Sequence, residues 1–132
     1  MSDTIEIHGT AWKNGTVTLM ARVLGHDAAV LAPDDIAAAE YSVYLLDDDD
    51  PDARTAVTGH GEQTLIVADV LFATLQTDAR WTVDTTGYNF RHTLDVSANP
   101  AFAIAGRRYL VEYRLTPDDG QVILLRFRIN VV

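Results

Sequence analysis

The densest gathering of side chains able to bind or react is Arg80-Trp81-Thr82-Val83-Asp84-Thr85-Thr86-Gly87-Tyr88-Asn89-Phe90-Arg91-His92. Aromatic rings beside a guanidinium can stack on a sugar, and Trp, Tyr and Arg are the side chains that most often anchor protein interfaces. A structural role accounts for the same residues: Trp81 and Phe90 fill a core between two sheets while Asp84 caps a turn at Gly87. Trp81, Tyr88 and Arg91 are therefore the binding candidates of this segment. Arg126 and Arg128 join them as interface candidates, because both project from one face of the closing hairpin, which is read as a candidate free edge able to extend a sheet across subunits.

The other combinations carry less. The run Asp47-Asp48-Asp49-Asp50-Pro51-Asp52 has the oxygen ligands a hard cation wants, but not the spacing of a calcium loop. Counting such a loop from Asp47 puts Asp52 where glycine is needed and Thr58 where the bidentate glutamate belongs. A solvated, self-repelling loop is the expectation. His8, His26, His60 and His92 are scattered, and no two share the i, i+2 of a strand or the i, i+4 of a helix, so no metal site is expected. Ser2, Ser42 and Ser97 lie outside any Gly-x-Ser-x-Gly turn. Gly59-His60-Gly61 lacks the helix and lysine of a phosphate-binding loop. No catalytic residue, metal or cofactor is assigned, and the chain is expected not to be an enzyme. A small hydrolase or isomerase on a β scaffold is the weakest class considered.

Composition narrows the partners. The 132 residues carry 19 acids, 15 of them Asp, against 10 bases with Lys13 the single lysine, a formal net charge of −9. Such a chain repels phosphate backbones, so nucleic acid is not expected as a partner. There is no cysteine, which excludes disulfides and thiolate metal sites. Met1-Ser2-Asp3-Thr4-Ile5-Glu6 has no basic or apolar stretch of the secretory kind, and the longest apolar runs fall far short of the roughly 20 residues that span a bilayer. The expectation is a protein of the cytoplasm or of a particle assembled there, with no membrane partner.

These side chains must be positioned by strands. Tyr109, Val111, Tyr113 and Leu115 share one face opposite Leu110, Glu112 and Arg114, Ile123, Leu125, Phe127, Ile129 and Val131 share one opposite Arg126, Arg128 and Asn130, and Thr116-Pro117-Asp118-Asp119-Gly120 lies between the two segments. Period two with a turn between is a half-buried hairpin. Asn14-Gly15 predicts a first hairpin over Gly9–Leu24; the same Asn14-Gly15-Thr16 matches a glycosylation sequon, for which the turn is the preferred reading. Tyr41–Leu46 is apolar on both faces and predicts a central strand. Asp34 or Asp35 can cap a helical turn over Ile36–Ala39. Short strands are expected at Thr64–Val67, Trp81–Asp84 and Phe90–Leu94, and loops over Gly25–Asp35 and Ser97–Ala105. Ala68–Gln76 fits either a helix or a crossover between sheets. Residues 1–132 are thus expected to form one antiparallel β-sandwich domain of about seven or eight strands, with at most one or two short helical turns. The predicted core is Val17, Leu19, Val23, Val43, Leu45, Leu65, Val67, Trp81, Phe90, Tyr109, Val111, Tyr113, Leu125, Phe127 and Ile129.

The order Leu65-Ile66-Val67-Ala68-Asp69-Val70-Leu71-Phe72, Leu75-Gln76-Thr77-Asp78, Trp81, Asp84, Gly87-Tyr88-Asn89-Phe90, Phe102, Gly106-Arg107-Arg108-Tyr109-Leu110-Val111-Glu112-Tyr113, Gly120 and Phe127 resembles small structural proteins of tailed phages and prophages. The resemblance covers roughly residues 17–131. Its sharpest part is Asp-x-x-Gly-Tyr-Asn-Phe; the Gly-x-x-Tyr-x-Val-Glu-Tyr strand is common to many immunoglobulin-like sandwiches. It implies an immunoglobulin-like module that decorates or adapts a particle through protein–protein contacts, as a homo-oligomer or with other particle proteins. The alternative is a carbohydrate- or other ligand-binding sandwich using Trp81, Tyr88 and Arg91.

Overall fold

The structure is a computed structural model that describes residues 3–25, 29–50, 52–118 and 121–132. His26, Pro51, the tip of the closing turn at Asp119-Gly120, and Met1 and Ser2 of the N-terminal reading lie outside those residues.

The alternating C-terminal segments form the hairpin expected of them. They are the last two of nine described strands, β8 (Arg108–Pro117) and β9 (Ile123–Val131). Tyr109 lies opposite Ile129, Val111 opposite Phe127, Tyr113 opposite Leu125 and Leu115 opposite Ile123. These eight side chains are buried on one face, while Arg114 and Asn130 point to solvent. Strand β3 (Ile36–Leu46) pairs with the far side of β8, setting Tyr41 against Tyr113 and Val43 against Val111. Its other side takes β4 (Arg54–Ala56) and β5 (Gln63–Leu65), so β3 is central as its two apolar faces require. The larger sheet runs β1-β9-β8-β3-β4, with β1 (Asp3–Ala11) on the outside of β9.

The smaller sheet has three strands in the order β2 (Thr18–Ala21), β7 (Tyr88–Thr93), β6 (Leu71–Gln76). It packs on the larger one as the second layer of a β-sandwich. Phe90 of β7 meets Tyr113 edge-on with ring centres 4.8 Å apart, and Tyr113 meets Phe127 the same way at 5.6 Å. Phe102 closes one end against Tyr109 at 5.5 Å. Edge-to-face contact suits the ring quadrupoles and fills the space between sheets densely.

The structure corrects several local expectations. Asn14-Gly15 does form a turn, with Asn14 in the left-handed region at φ 58° and the Gly15 N–H on the Trp12 carbonyl at 2.8 Å. It does not close a hairpin. The Lys13 N–H bonds Val132 and the Asn14 N–H bonds Phe102, so the turn carries the chain over the end of the sandwich, from β1 in one sheet to β2 in the other. β1 instead runs parallel to β9 from Asp3–Ile123 to Ala11–Val131, so the larger sheet is mixed rather than antiparallel. The helical turn expected over Ile36–Ala39 lies earlier, as a 3-10 turn at Pro33–Asp35. There the Asp35 carboxylate accepts the Ala32 N–H at 3.1 Å, and Ile36 already starts β3 because β8 is long enough to pair with it.

Segment 68–76 combines both of its readings: one helical turn, α1 (Val67–Val70), then β6. Trp81–Asp84 is not a strand, since the Asp84 carboxylate gathers the turn instead. Trp81, Val17, Leu45, Leu65 and Val67 are only half-buried, whereas Tyr88, Leu71, Leu94, Phe102 and Leu115 are fully inside. Among the described residues no helix is long and apolar enough to cross a membrane.

Candidate functional site

The sequence cluster folds around Asp84. Its Oδ1 accepts the Trp81 indole N–H at 2.9 Å and the backbone N–H groups of Thr86 and Gly87 at 3.0 and 3.1 Å, while Arg22 donates to Oδ2 at 2.8 Å. Bonds from the indole, the guanidinium and the backbone all favour the anion, so the carboxyl is held far below the usual carboxylate range. Gly87 completes the turn at φ +109°, where a Cβ would lie 2.5 Å from the Gln76 carbonyl oxygen. This geometry serves the turn: the Trp81 N–H and the Arg22 charge are already used.

Tyr88 is wholly buried, with Trp81 and Phe72 rings against it at 5.6 and 6.1 Å. Its hydroxyl donates to Asp78 at 2.6 Å and accepts from Arg91 at 3.1 Å. No open face of Tyr88 remains for a sugar to stack on. Asn89 beside it is equally buried; its amide oxygen accepts the Val23 N–H, and its nitrogen donates to the Val23 and Leu31 carbonyls. Asn89 thus staples segment 23–31 to β7.

Trp81, Tyr88 and Arg91 therefore do come together, and the structure adds His92. A groove of about 460 Å³ opens where the chain crosses from β5 through α1 to β6, lined by Thr64, Leu65, Ile66, Asp69, Val70, Arg91, His92 and Thr93. The β6–β7 ladder stops at Phe90, leaving that side of Arg91–Thr93 facing the groove. Arg91 lays its guanidinium 5.2 Å from the centre of the Phe72 ring. His92 Nδ1 lies 2.7 Å from the Tyr113 hydroxyl, and the ring packs on Tyr41. Burial pushes the His92 imidazole down from 6.5 to about 4 and raises the Tyr113 phenol well above its ordinary value.

Tyr41 also meets His60, whose Nδ1 lies 3.0 Å from the Tyr41 hydroxyl and whose Nε2 lies 2.8 Å from the Asn99 carbonyl. A carbonyl only accepts, so His60 is protonated at Nε2 and tethers the 99–102 loop. It is a satisfied structural histidine.

Arg126 and Arg128 lie elsewhere, on the outer face of the larger sheet, and the closing hairpin is not an edge as expected, because β1 pairs along β9 and β3 along β8. Arg126 donates to Glu112, directly opposite on β8, at 2.8 Å, and Arg128 pairs with Glu6 of β1. Arg54 approaches the same Glu112 at 3.9 Å and covers the Tyr44 ring at 4.1 Å. These cations are spent on a ladder of partly exposed ion pairs, each worth little on its own. The acidic loop behaves likewise: Asp47 accepts the N–H groups of Asp49 and Asp50, and Asp48 lies 3.2 Å from Arg107. Among the described residues no three His, Asp or Glu side chains gather where one metal ion could sit.

One residue escaped the sequence reading. Trp12, next after β1, is 75% exposed. Its signal was an aromatic residue beside an Asn-Gly turn, hidden by the expectation that the turn closed a hairpin. No protein-family model and no curated protein matches the chain.

Proposed function

We propose that this protein is a non-enzymatic β-sandwich module that acts through protein–protein contacts, pairing its β1 edge with a second copy. The observation that carries the reading is β1 itself: a nine-residue strand at the end of the larger sheet, followed at once by the 75%-exposed Trp12. An edge strand offers a row of unpaired N–H and C=O groups, and soluble proteins usually blunt such edges with Pro, Lys, bulges or brevity. β1 contains neither Pro nor Lys and keeps an unbroken register along β9. The opposite edge is the short β4 with Arg54, and the smaller sheet ends in the four-residue β2 and the irregular β6.

An antiparallel β1–β1 pair is self-complementary, as a two-fold dimer requires. Centred on Ile7, it sets Glu6 of each copy against His8 of the other. The likeness to particle-decorating phage and prophage proteins supports the same mode of action, and with it an immunoglobulin-like outline and a place in the cytoplasm or on a particle. Light scattering on a sizing column tests the proposal. The wild type is expected at twice the 14.5 kDa chain mass, and Trp12→Asp, a change at an exposed site, at the single-chain mass with the thermal unfolding of the dilute wild type. A wild type that stays monomeric at every concentration, or a variant that dimerises equally well, overturns it.

A further inference from the structure

The groove between β5, α1 and β7 carries an inference independent of self-pairing. Arg91 is its starting point. In this acidic chain Arg22, Arg54, Arg80, Arg107, Arg126 and Arg128 each lie within 4.0 Å of a carboxylate. Arg91, Arg108 and Arg114 do not among the described residues; Arg108 and Arg114 are exposed, but Arg91 is half-buried and held in place, its guanidinium beside the Phe72 ring and one N–H on the Tyr88 hydroxyl. The Tyr88 proton is given to Asp78, so the phenol oxygen turns its lone pairs to Arg91 and fixes the fork without neutralising it. A planar guanidinium held this way, with donors left over, matches the two oxygens of a carboxylate.

His92, next on the strand, turns the other way, with Nδ1 at the buried Tyr113 hydroxyl and its ring on Tyr41, and forms part of the groove wall. The rest of the groove is mixed: Leu65, Ile66 and Val70 supply apolar wall, and Ile66 is 69% exposed there. Its volume of about 460 Å³ falls within the range usual for small-molecule sites. Asp69 on the rim and the net charge of −9 disfavour a dianion.

We infer that this groove is a binding site for a small monocarboxylate with an apolar body, its carboxylate on the Arg91 guanidinium and its body against Leu65, Ile66 and Val70.

The test is an amide and arginine side-chain NMR titration of the full chain with benzoate, with benzamide and phenylphosphonate in parallel. Benzoate is expected to shift the Arg91 Nε–H and the amides of residues 64–66 and 91–93 saturably. Benzamide, which lacks the charge, and phenylphosphonate, which carries more of it, are expected to bind at least about tenfold more weakly. Arg91→Gln is expected to weaken benzoate by a similar factor at an unchanged unfolding midpoint. No saturable shift with benzoate, or equal binding of benzamide, overturns the inference on the wild-type protein alone; benzoate binding unchanged in a folded Arg91→Gln variant overturns the assignment to Arg91. Pairing at the β1 edge is unaffected by any of these outcomes, so this site and the self-pairing proposal fail separately.

Discussion

At the residue scale the molecule places its polar side chains between its sheets with partners. His92 is the most consequential, because its ring sits on Tyr41 with Nδ1 at the Tyr113 hydroxyl, so protonation puts a charge into the space between the sheets. The groups facing it are these two phenols, with Arg91 and Asp69 along the same groove. Burial lowers its folded value to about 4 from 6.5. Between those values the unfolded chain binds the proton and the folded one does not, so stability falls as pH falls from 6.5 toward 4 and is insensitive to His92 above that window. Urea unfolding across this range is expected to show that loss, and His92→Gln to flatten it; an identical slope in the variant would remove His92 as the cause. Asp84, held well below the ordinary carboxylate range by the Trp81 and Arg22 bonds, stays ionised throughout the window and contributes to acid loss only below it. The sequence showed the types that gather around Asp84. It did not show that Tyr88 would be buried rather than presented, because burial there depends on Phe72 and Trp81 converging from two other segments.

At the element scale, alternation was a sound guide wherever a strand is half-buried along its length, as in β8 and β9, and where both faces are covered, as in β3. It misled where a strong local signal has two global uses. Asn14-Gly15 makes its turn, but whether the next strand returns alongside or crosses to the other sheet depends on the Asn14–Phe102 and Lys13–Val132 bonds, made to residues about 90 and 120 positions away. The parallel β1–β9 pairing was illegible for the same reason, since it joins the two extremes of the described chain. The turn at Gly87 shows how an element rests on one position. Gly87→Ala forces a Cβ to 2.5 Å from the Gln76 carbonyl at φ +109° and is expected to cost more than about 1 kcal/mol. The loss should appear as a lower unfolding midpoint together with a changed Trp81 fluorescence, because Asp84 anchors both the turn and the indole. A Gly87→Ala protein with wild-type stability would show that the turn yields freely.

At the scale of the whole molecule, two layers enclose a core of rings centred on Phe90, Tyr113 and Phe127, and the ends of those layers decide what the protein can touch. The larger sheet ends at a long, unblunted strand, while its outer face is tied up in the Arg126–Glu112 and Arg128–Glu6 pairs. Two copies that meet at β1 bring together two charges of −9, so association should strengthen with salt, which screens exposed charges beyond about 8 Å at physiological ionic strength. The most direct measurement is amide hydrogen exchange of β1 at low and high protein concentration. The account predicts that amides within Asp3–Ala11 exchange as an open edge when dilute and slow markedly when concentrated, while β4 and β2 do not change. β1 amides that exchange at one rate across the series, with the chain monomeric throughout, would contradict it.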